Sequence, residues 1–125
     1  MPAYDDALFS PPAPSAKVML RHPNTAATIS DIHMLIDSGA DVTLIPSSSV
    51  DLLGLKLDAD ESYEVKSFDG RIGTLRAVRL DLIFLRKTFK GRFLLINQDW
   101  GILGRDVINH VSLYLDGPRL TWEEQ

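Results

Sequence analysis

Short runs of apolar residues, separated by turn-forming residues, follow one another along most of the chain. Val18-Met19-Leu20 is the first run, residues 27–36 carry the second, and residues 79–85 and 92–96 form two more. Few stretches place apolar residues at every third or fourth position, as an amphipathic helix requires. The pattern therefore predicts a mostly β protein.

Turn signals indicate how these strands are connected. Asp69-Gly70 lies between strand-forming residues and predicts a hairpin over residues 63–78. The strands 79–85 and 92–96 are expected to be joined through residues 88–91. A terminal hairpin is expected over residues 112–122, because Asp116-Gly117-Pro118 interrupts two apolar stretches.

A polar tripeptide interrupts the most apolar part of the chain. Leu35-Ile36 leads into Asp37-Ser38-Gly39, and a second apolar run over residues 42–45 stops at Pro46. Strands that are buried on both faces have this composition, so Asp37 is expected near the centre of the protein. A buried carboxylate is costly without a partner. The sequence therefore predicts a special role for Asp37.

Another apolar run ends at a glycine farther along the chain, in Ile102-Leu103-Gly104-Arg105-Asp106. A short helix is expected after Gly104, with Val107, Ile108 and Val111 on one face. After Pro46 the pattern allows at most a helical turn or two.

Composition narrows the classes of function. The chain has 125 residues, a net charge of −4 and no cysteine, which excludes disulfides, thiolate metal sites and cysteine catalysis. The size suits one domain. The net negative charge argues against nucleic acid or an acidic membrane as a partner. The basic cluster Arg86, Lys87, Lys90 and Arg92 is interpreted as solvated charge around a hairpin turn.

The first fifteen residues differ in character from the rest. Ser10-Pro11-Pro12-Ala13-Pro14 favours an extended conformation and is unsuited to the centre of a sheet. We therefore expect a Pro-rich N-terminal arm over residues 1–15 and a folded domain over residues 16–125. The N-terminus lacks the basic and apolar regions of a secretory signal, so a cytoplasmic location is expected.

Together, the Asp37-Ser38-Gly39 loop, the Gly104-Arg105 segment and the hairpin between them resemble the retropepsin-like (retroviral-type) aspartic proteases, in particular their cellular and bacterial single-domain members. The resemblance implies an all-β, single-domain closed barrel with one short C-terminal helix. It also implies a two-fold homodimer, a peptide or protein substrate, and no metal or cofactor.

The resemblance also implies roles for particular residues. Asp37, Ser38 and Gly39 would form the catalytic loop, and Asp41 and Arg105 a buried or half-buried structural ion pair. The implied substrate-binding residues are Ala40, Asp41, Phe68, Asp69, Gly70, Trp100 and Ile102, of which Phe68, Asp69 and Gly70 belong to a flap over the peptide. Because the chain has a single Asp-Ser-Gly, the second carboxylate of the reaction would come from a second copy of the chain.

Two other interpretations stay open at this point. One is a dimer of the same fold that binds or scaffolds peptides with little or no proteolysis. The other is a different β-barrel in which Asp37-Ser38-Gly39 is a plain turn. A nucleophilic role for Ser38 is disfavoured, because His22, His33 and His110 all lack a triad-like context.

Overall fold

A computed structural model describes residues 2–55, 62–66 and 72–125, and for residues 62–66 and 72–75 it describes the backbone alone. Within these residues there are ten strands and two short helices. In chain order they are β1 (Tyr4–Asp5), β2 (Ala13–Arg21), β3 (Thr28–Ile36), β4 (Leu44–Pro46), α1 (Ser47–Leu52), β5 (Ser62–Lys66), β6 (Ile72–Phe84), β7 (Lys87–Ile96), β8 (Gly101–Leu103), α2 (Arg105–Ile108), β9 (Leu113–Asp116) and β10 (Thr121–Glu124).

Six of the strands close into a barrel. Their order is β2-β3-β8-β4-β7-β6, and β6 pairs with β2 again through Met19–Ile83, Leu20–Leu82 and Arg21–Asp81. β1 extends β2 at one edge, β5 extends β6 at another, and β9 and β10 form a separate hairpin. The structure thus confirms the mostly β fold that the strand pattern predicted and the closed barrel that the resemblance implied.

Alternate residues of the barrel strands form one apolar core, because successive side chains of a strand point to opposite faces. Val50 of α1 and Val107 of α2 pack into the same core, so both helices cover open parts of the barrel. Fully burying one such side chain stabilises a fold by about 1.5–3 kcal/mol. The barrel residues with no exposed surface are Leu20, Met34, Ile45, Ala77, Leu80, Leu82 and Leu103.

The two helices are short, as their sequences predicted. α1 spans the segment after Pro46 for which a helical turn or two was expected, and it adds a second helix to the one expected at the C-terminal side. Among the described residues, none of the helices has the length and apolar character needed to cross a membrane.

One connection differs from the prediction. The turn between β6 and β7 lies at Leu85 and Arg86, and residues 88–91 belong to β7. Both turn residues have positive φ angles, 51° and 63°. A two-residue turn of this backbone type matches the twist of the flanking strands, but it usually carries Asn or Gly. Leucine and arginine give no local signal for it, so the expected turn at residues 88–91 was wrong.

The N-terminal arm folds back on its own last residues, which begin β2, and it is also bonded to the terminal hairpin. Tyr4 and Asp5 lie opposite Pro14 and Ala13 of β2. The Tyr4 N–H donates to the carbonyl of Leu120 at 2.9 Å. The division at residue 15 stays a prediction, while the pairing shows that the arm folds back over the start of β2 and the terminal hairpin.

Candidate active site

The two sequence motifs meet at the ends of neighbouring parallel strands. β3 and β8 run parallel, with Met34 opposite Gly101 and Ile36 opposite Leu103. Directly beyond this pairing the N–H of Asp37 donates to the carbonyl of Leu103 at 3.1 Å. The loop after β3 and the junction between β8 and α2 are therefore side by side at one end of the barrel.

The loop of residues 37–41 holds the Asp37 carboxylate in place. Its Oδ1 accepts the N–H of Gly39 at 2.9 Å, and the carbonyl of Asp37 accepts the N–H of Ala40 at 3.2 Å. A Cβ at position 39 would lie 3.2 Å from Oδ1, so glycine leaves room for the carboxylate. Asp37 and Ala40 are half-buried, while Ser38 and Gly39 are exposed. The loop thus presents an oriented carboxylate at the surface.

Arg105 braces this loop from the first turn of α2. Its N–H donates to the carbonyl of Ala40 at 2.9 Å, and its guanidinium donates to the carbonyl of Ser38 at 2.7 Å. The same guanidinium forms an ion pair with Asp41. The Asp41 side chain is 83% exposed, so the pair lies at the surface and not in the buried or half-buried setting that was expected. Exposed pairs contribute about 0–1 kcal/mol, so the bonds to the loop carbonyls do most of the positioning.

Thr43 and Asp106 form a second brace, which the sequence analysis missed. The Thr43 hydroxyl donates to Asp106 Oδ1 at 2.6 Å and accepts the N–H of Gly104 at 3.0 Å. The N–H of Thr43 donates to Asp106 Oδ2 at 3.1 Å. Thr43 is 1% exposed. The available signal was a lone hydroxyl, Thr43, within the apolar run 42–45, together with a carboxylate, Asp106, in the first turn of α2.

Gly104 permits the close approach of the two loops. A Cβ at this position would lie 2.5 Å from the carbonyl carbon and oxygen of Val42. The backbone of Gly104 is extended, with φ of −93°, so the requirement for glycine comes from the missing side chain and not from an unusual φ.

An apolar surface lies beside the loop on the outer face of β8 and its neighbours. Ile102 is paired with Leu35 on one side and with Leu44 on the other, and all three are half-buried. Trp100 directly precedes β8 and lines a surface groove together with His33, which lies two residues before Leu35 on β3. We refer to Leu35, Leu44, Trp100 and Ile102 as the apolar floor.

For the other predicted site residues, the structure leaves either the position or the role undetermined. Phe68, Asp69 and Gly70 lie outside the described residues. The backbone of β5 and β6 on either side is antiparallel, with Lys66 opposite Ile72, as the hairpin signal predicted. The roles of Asp37, Ser38 and Gly39 in catalysis, and of Trp100 and Ile102 in substrate binding, stay predictions.

The three histidines are distributed over different parts of the surface. His22 accepts backbone N–H groups of its own turn, His33 faces Asp5 at 3.1 Å, and the ring of His110 lies against Phe89. Within the described ranges, no three acidic, histidine or cysteine side chains are grouped closely enough to hold a metal ion.

Comparison with known proteins adds independent information. A family model described as aspartyl protease matches residues 27–107. Among solved structures, the chain is similar to EIAV protease complexed with the inhibitor HBY-793. That match has 18% sequence identity and a TM-score of 0.57, and it covers 78% of this chain and 86% of that chain. No curated protein matches. Because the sequence identity is only 18%, the structural match supports the barrel fold alone. The family model connects that fold with aspartyl proteases.

Proposed function

The chain belongs to the aspartyl protease family, and from this premise we propose that it is an aspartic endopeptidase that works as a homodimer. Hydrolysis of a peptide bond by carboxylates needs two of them, and the chain has a single Asp-Ser-Gly. A two-fold axis would bring Asp37 of each copy together. A cytoplasmic location also stays a prediction.

The proposed reaction divides the work between the two Asp37 carboxyl groups. Two carboxylates this close share one proton, because like charges at short distance cannot both ionise. The ionised group takes a proton from a water molecule, whose oxygen attacks the scissile carbonyl carbon. The protonated group donates a hydrogen bond to the carbonyl oxygen, which stabilises the negative charge that develops there. As the C–N bond breaks, this group transfers its proton to the departing nitrogen. Activity is therefore expected to favour acidic pH.

The observation that carries this proposal is the oriented Asp37 carboxylate beside an apolar surface. Gly39 holds the carboxylate and Arg105 braces the loop around it. Ser38, which is exposed at the loop, would brace the partner's loop at the two-fold axis. Because these contacts exist in the single chain, dimerisation would add the second carboxylate without rebuilding the first.

The substrate is proposed to bind in an extended conformation, with alternate side chains directed at the surface. Ile102 and Trp100 would contact apolar side chains of the peptide, and Ala40 and Asp41 would line its backbone. The hairpin formed by β5 and the start of β6 would act as a flap, with Phe68, Asp69 and Gly70 at its tip, and its closure would exclude water.

The alternative is a peptide-binding or scaffolding dimer with little or no proteolysis. Both proposals use the same apolar floor, but only the protease needs the Asp37 carboxylate to exchange a proton. Replacement of that carboxylate therefore separates them.

The test is cleavage of a peptide library by the wild-type protein and by Asp37→Asn. We expect Asp37→Asn to abolish cleavage while folding and dimerisation persist, because the amide cannot accept the water proton. Circular dichroism and sedimentation would check the folded dimer. Asp31→Asn is the matched control, since Asp31 is an exposed carboxylate of β3, the strand that leads into the Asp37 loop. Cleavage by Asp37→Asn with an unchanged pH profile would overturn the proposal.

A further inference from the structure

An aromatic pair lies at the end of the apolar floor that is farther from Asp37. The rings of Phe9 and Trp100 have centroids 4.9 Å apart and planes at 76°. This edge-to-face arrangement is a favoured geometry for aromatic pairs. Phe9 belongs to the N-terminal arm, which the sequence analysis had placed outside the folded domain. Both residues are half-buried, so part of each side chain remains available at the surface.

The arm is held in this position by Asp5. Its Oδ1 accepts the N–H groups of Ala7 and Leu8, both at 2.8 Å. Its Oδ2 lies 3.1 Å from Nε2 of His33 on β3. This distance allows an ion pair, but the two groups are not aligned for a hydrogen bond, and the buried Nε2 has no hydrogen-bond partner among the described residues. The Asp5 carboxylate therefore binds the backbone of the turn that leads to Phe9 and also contacts His33 on β3.

A surface groove runs along this part of the molecule. It has a volume of about 560 Å³ and is lined by Leu8 of the arm, His33 of β3 and the segment from Asn97 to Trp100. His33 lies two residues before Leu35 on the same face of β3. The groove is thus continuous with the apolar floor that leads towards Asp37.

We propose that Phe9 is a specificity-determining residue, which closes the far end of the apolar floor and limits the size of the substrate side chain that binds against Trp100. This inference rests on the proposed function, since the floor receives a peptide only if one binds beside Asp37. The pairing of β1 with β2 and the Asp5 contacts hold the arm beside the groove, where Leu8 lines one side and Phe9 packs on Trp100.

Side-chain size at position 9 should therefore control substrate preference. We would measure kcat/KM for a peptide series in which each position near the scissile bond is in turn Ala, Leu or Phe. Phe9→Ala should raise the ratio of kcat/KM for Phe over Ala at one position by about fivefold or more, because a single methylene group in an apolar pocket is worth about 10–200-fold. Phe9→Trp should lower the same ratio.

Two further variants identify the cause. Leu52→Ala truncates an apolar side chain that is 76% exposed on α1, and it should leave every ratio unchanged. Asp5→Asn should shift the ratio at the same position and in the same direction as Phe9→Ala, and the two changes should not add, because Asp5 acts by positioning Phe9. An unchanged ratio, within about twofold at every position, in Phe9 variants that fold and cleave would overturn the inference.

A binding measurement distinguishes this inference from the proposed function. Calorimetry would use the same peptide series with a hydroxyethylene group in place of the scissile amide, which prevents cleavage. Suppose that Phe9→Ala changes the dependence of affinity on side-chain size, while the wild type does not cleave the amide peptides. That result would support the pocket and reject proteolysis. Cleavage without any shift would reject the pocket and retain proteolysis. Neither binding nor cleavage would reject both.

Discussion

A single hydroxyl joins the two loops of the candidate site. Thr43 receives the N–H of Gly104 and donates to Asp106, so it connects the strand after the Asp37 loop to the start of α2. The side chain is almost fully buried. A buried polar group that loses its partner costs the desolvation energy of that group. The geometry of the loop therefore depends on Thr43 although it is not expected to touch a substrate.

Thr43→Val removes this connection at nearly constant volume. The N–H of Gly104 and one oxygen of Asp106 then lack their partner, and the free energy of unfolding should fall by about 1–3 kcal/mol. Urea unfolding would measure the loss. Thr88→Val is the control, because Thr88 is an exposed threonine of β7, and its effect should stay within about 0.5 kcal/mol. Equal effects of the two substitutions would contradict the assigned role.

The junction of β8 and α2 depends on the absence of a side chain. Arg105 can reach the loop of residues 37–41 only because Gly104 packs directly against the backbone of Val42. Gly104→Ala should destabilise the fold by about 1–3 kcal/mol, since the added methyl group meets backbone that cannot move aside. Thermal unfolding would measure it. Gly91→Ala provides the control, because nothing lies within 4 Å of a Cβ at that position.

The N-terminal arm has its own pH dependence. The N–H of Leu8 lowers the pKa of Asp5 below its ordinary value of 3.8, and the N–H of Ala7 and the charge of His33 add to this effect while desolvation opposes it. A lowered pKa in the folded state means that Asp5 stabilises the protein above its unfolded pKa. That stabilisation is lost as the pH falls through the lower folded value.

The stability difference between the wild type and Asp5→Asn should therefore shrink as the pH falls below the ordinary pKa of 3.8. Thermal unfolding over this range would measure it, and Asp6→Asn, an exposed neighbour, would serve as the control. A difference that grows as the pH falls would contradict the assigned contacts.

The closed barrel is complete within one chain, but the proposed active site is not. Each chain offers one oriented Asp37 at the surface, so the proposed chemistry depends on association. Mixing equal amounts of wild type and Asp37→Asn, with time for subunit exchange, should lower the activity per wild-type chain to about one half, because half of the wild-type chains then pair with an inactive partner. Dilution should lower the specific activity further. A catalytic monomer would keep its activity per chain in both experiments.

Local patterns in the sequence were enough to predict much of the fold. The resemblance of Asp37-Ser38-Gly39 and Gly104-Arg105 to known aspartic proteases indicated the family. The apolar runs predicted the strands, and Asp69-Gly70 predicted the antiparallel β5–β6 pair. These features depend on strand period and turn chemistry, which act between residues close in sequence. The Leu85-Arg86 turn has no such signal, and so its position was missed.

The sequence by itself determined the β class and the two loops of the candidate site, because each follows from residues that are neighbours in the chain. The second carboxylate stays a proposal. Only the tertiary structure decided that Thr43 joins Asp106 to Gly104, that Asp41 meets Arg105 at the surface, and that Phe9 packs on Trp100. The physical reason is the closure of the barrel. Strand register and the return of β6 to β2 set which distant residues meet, and no local pattern encodes that register.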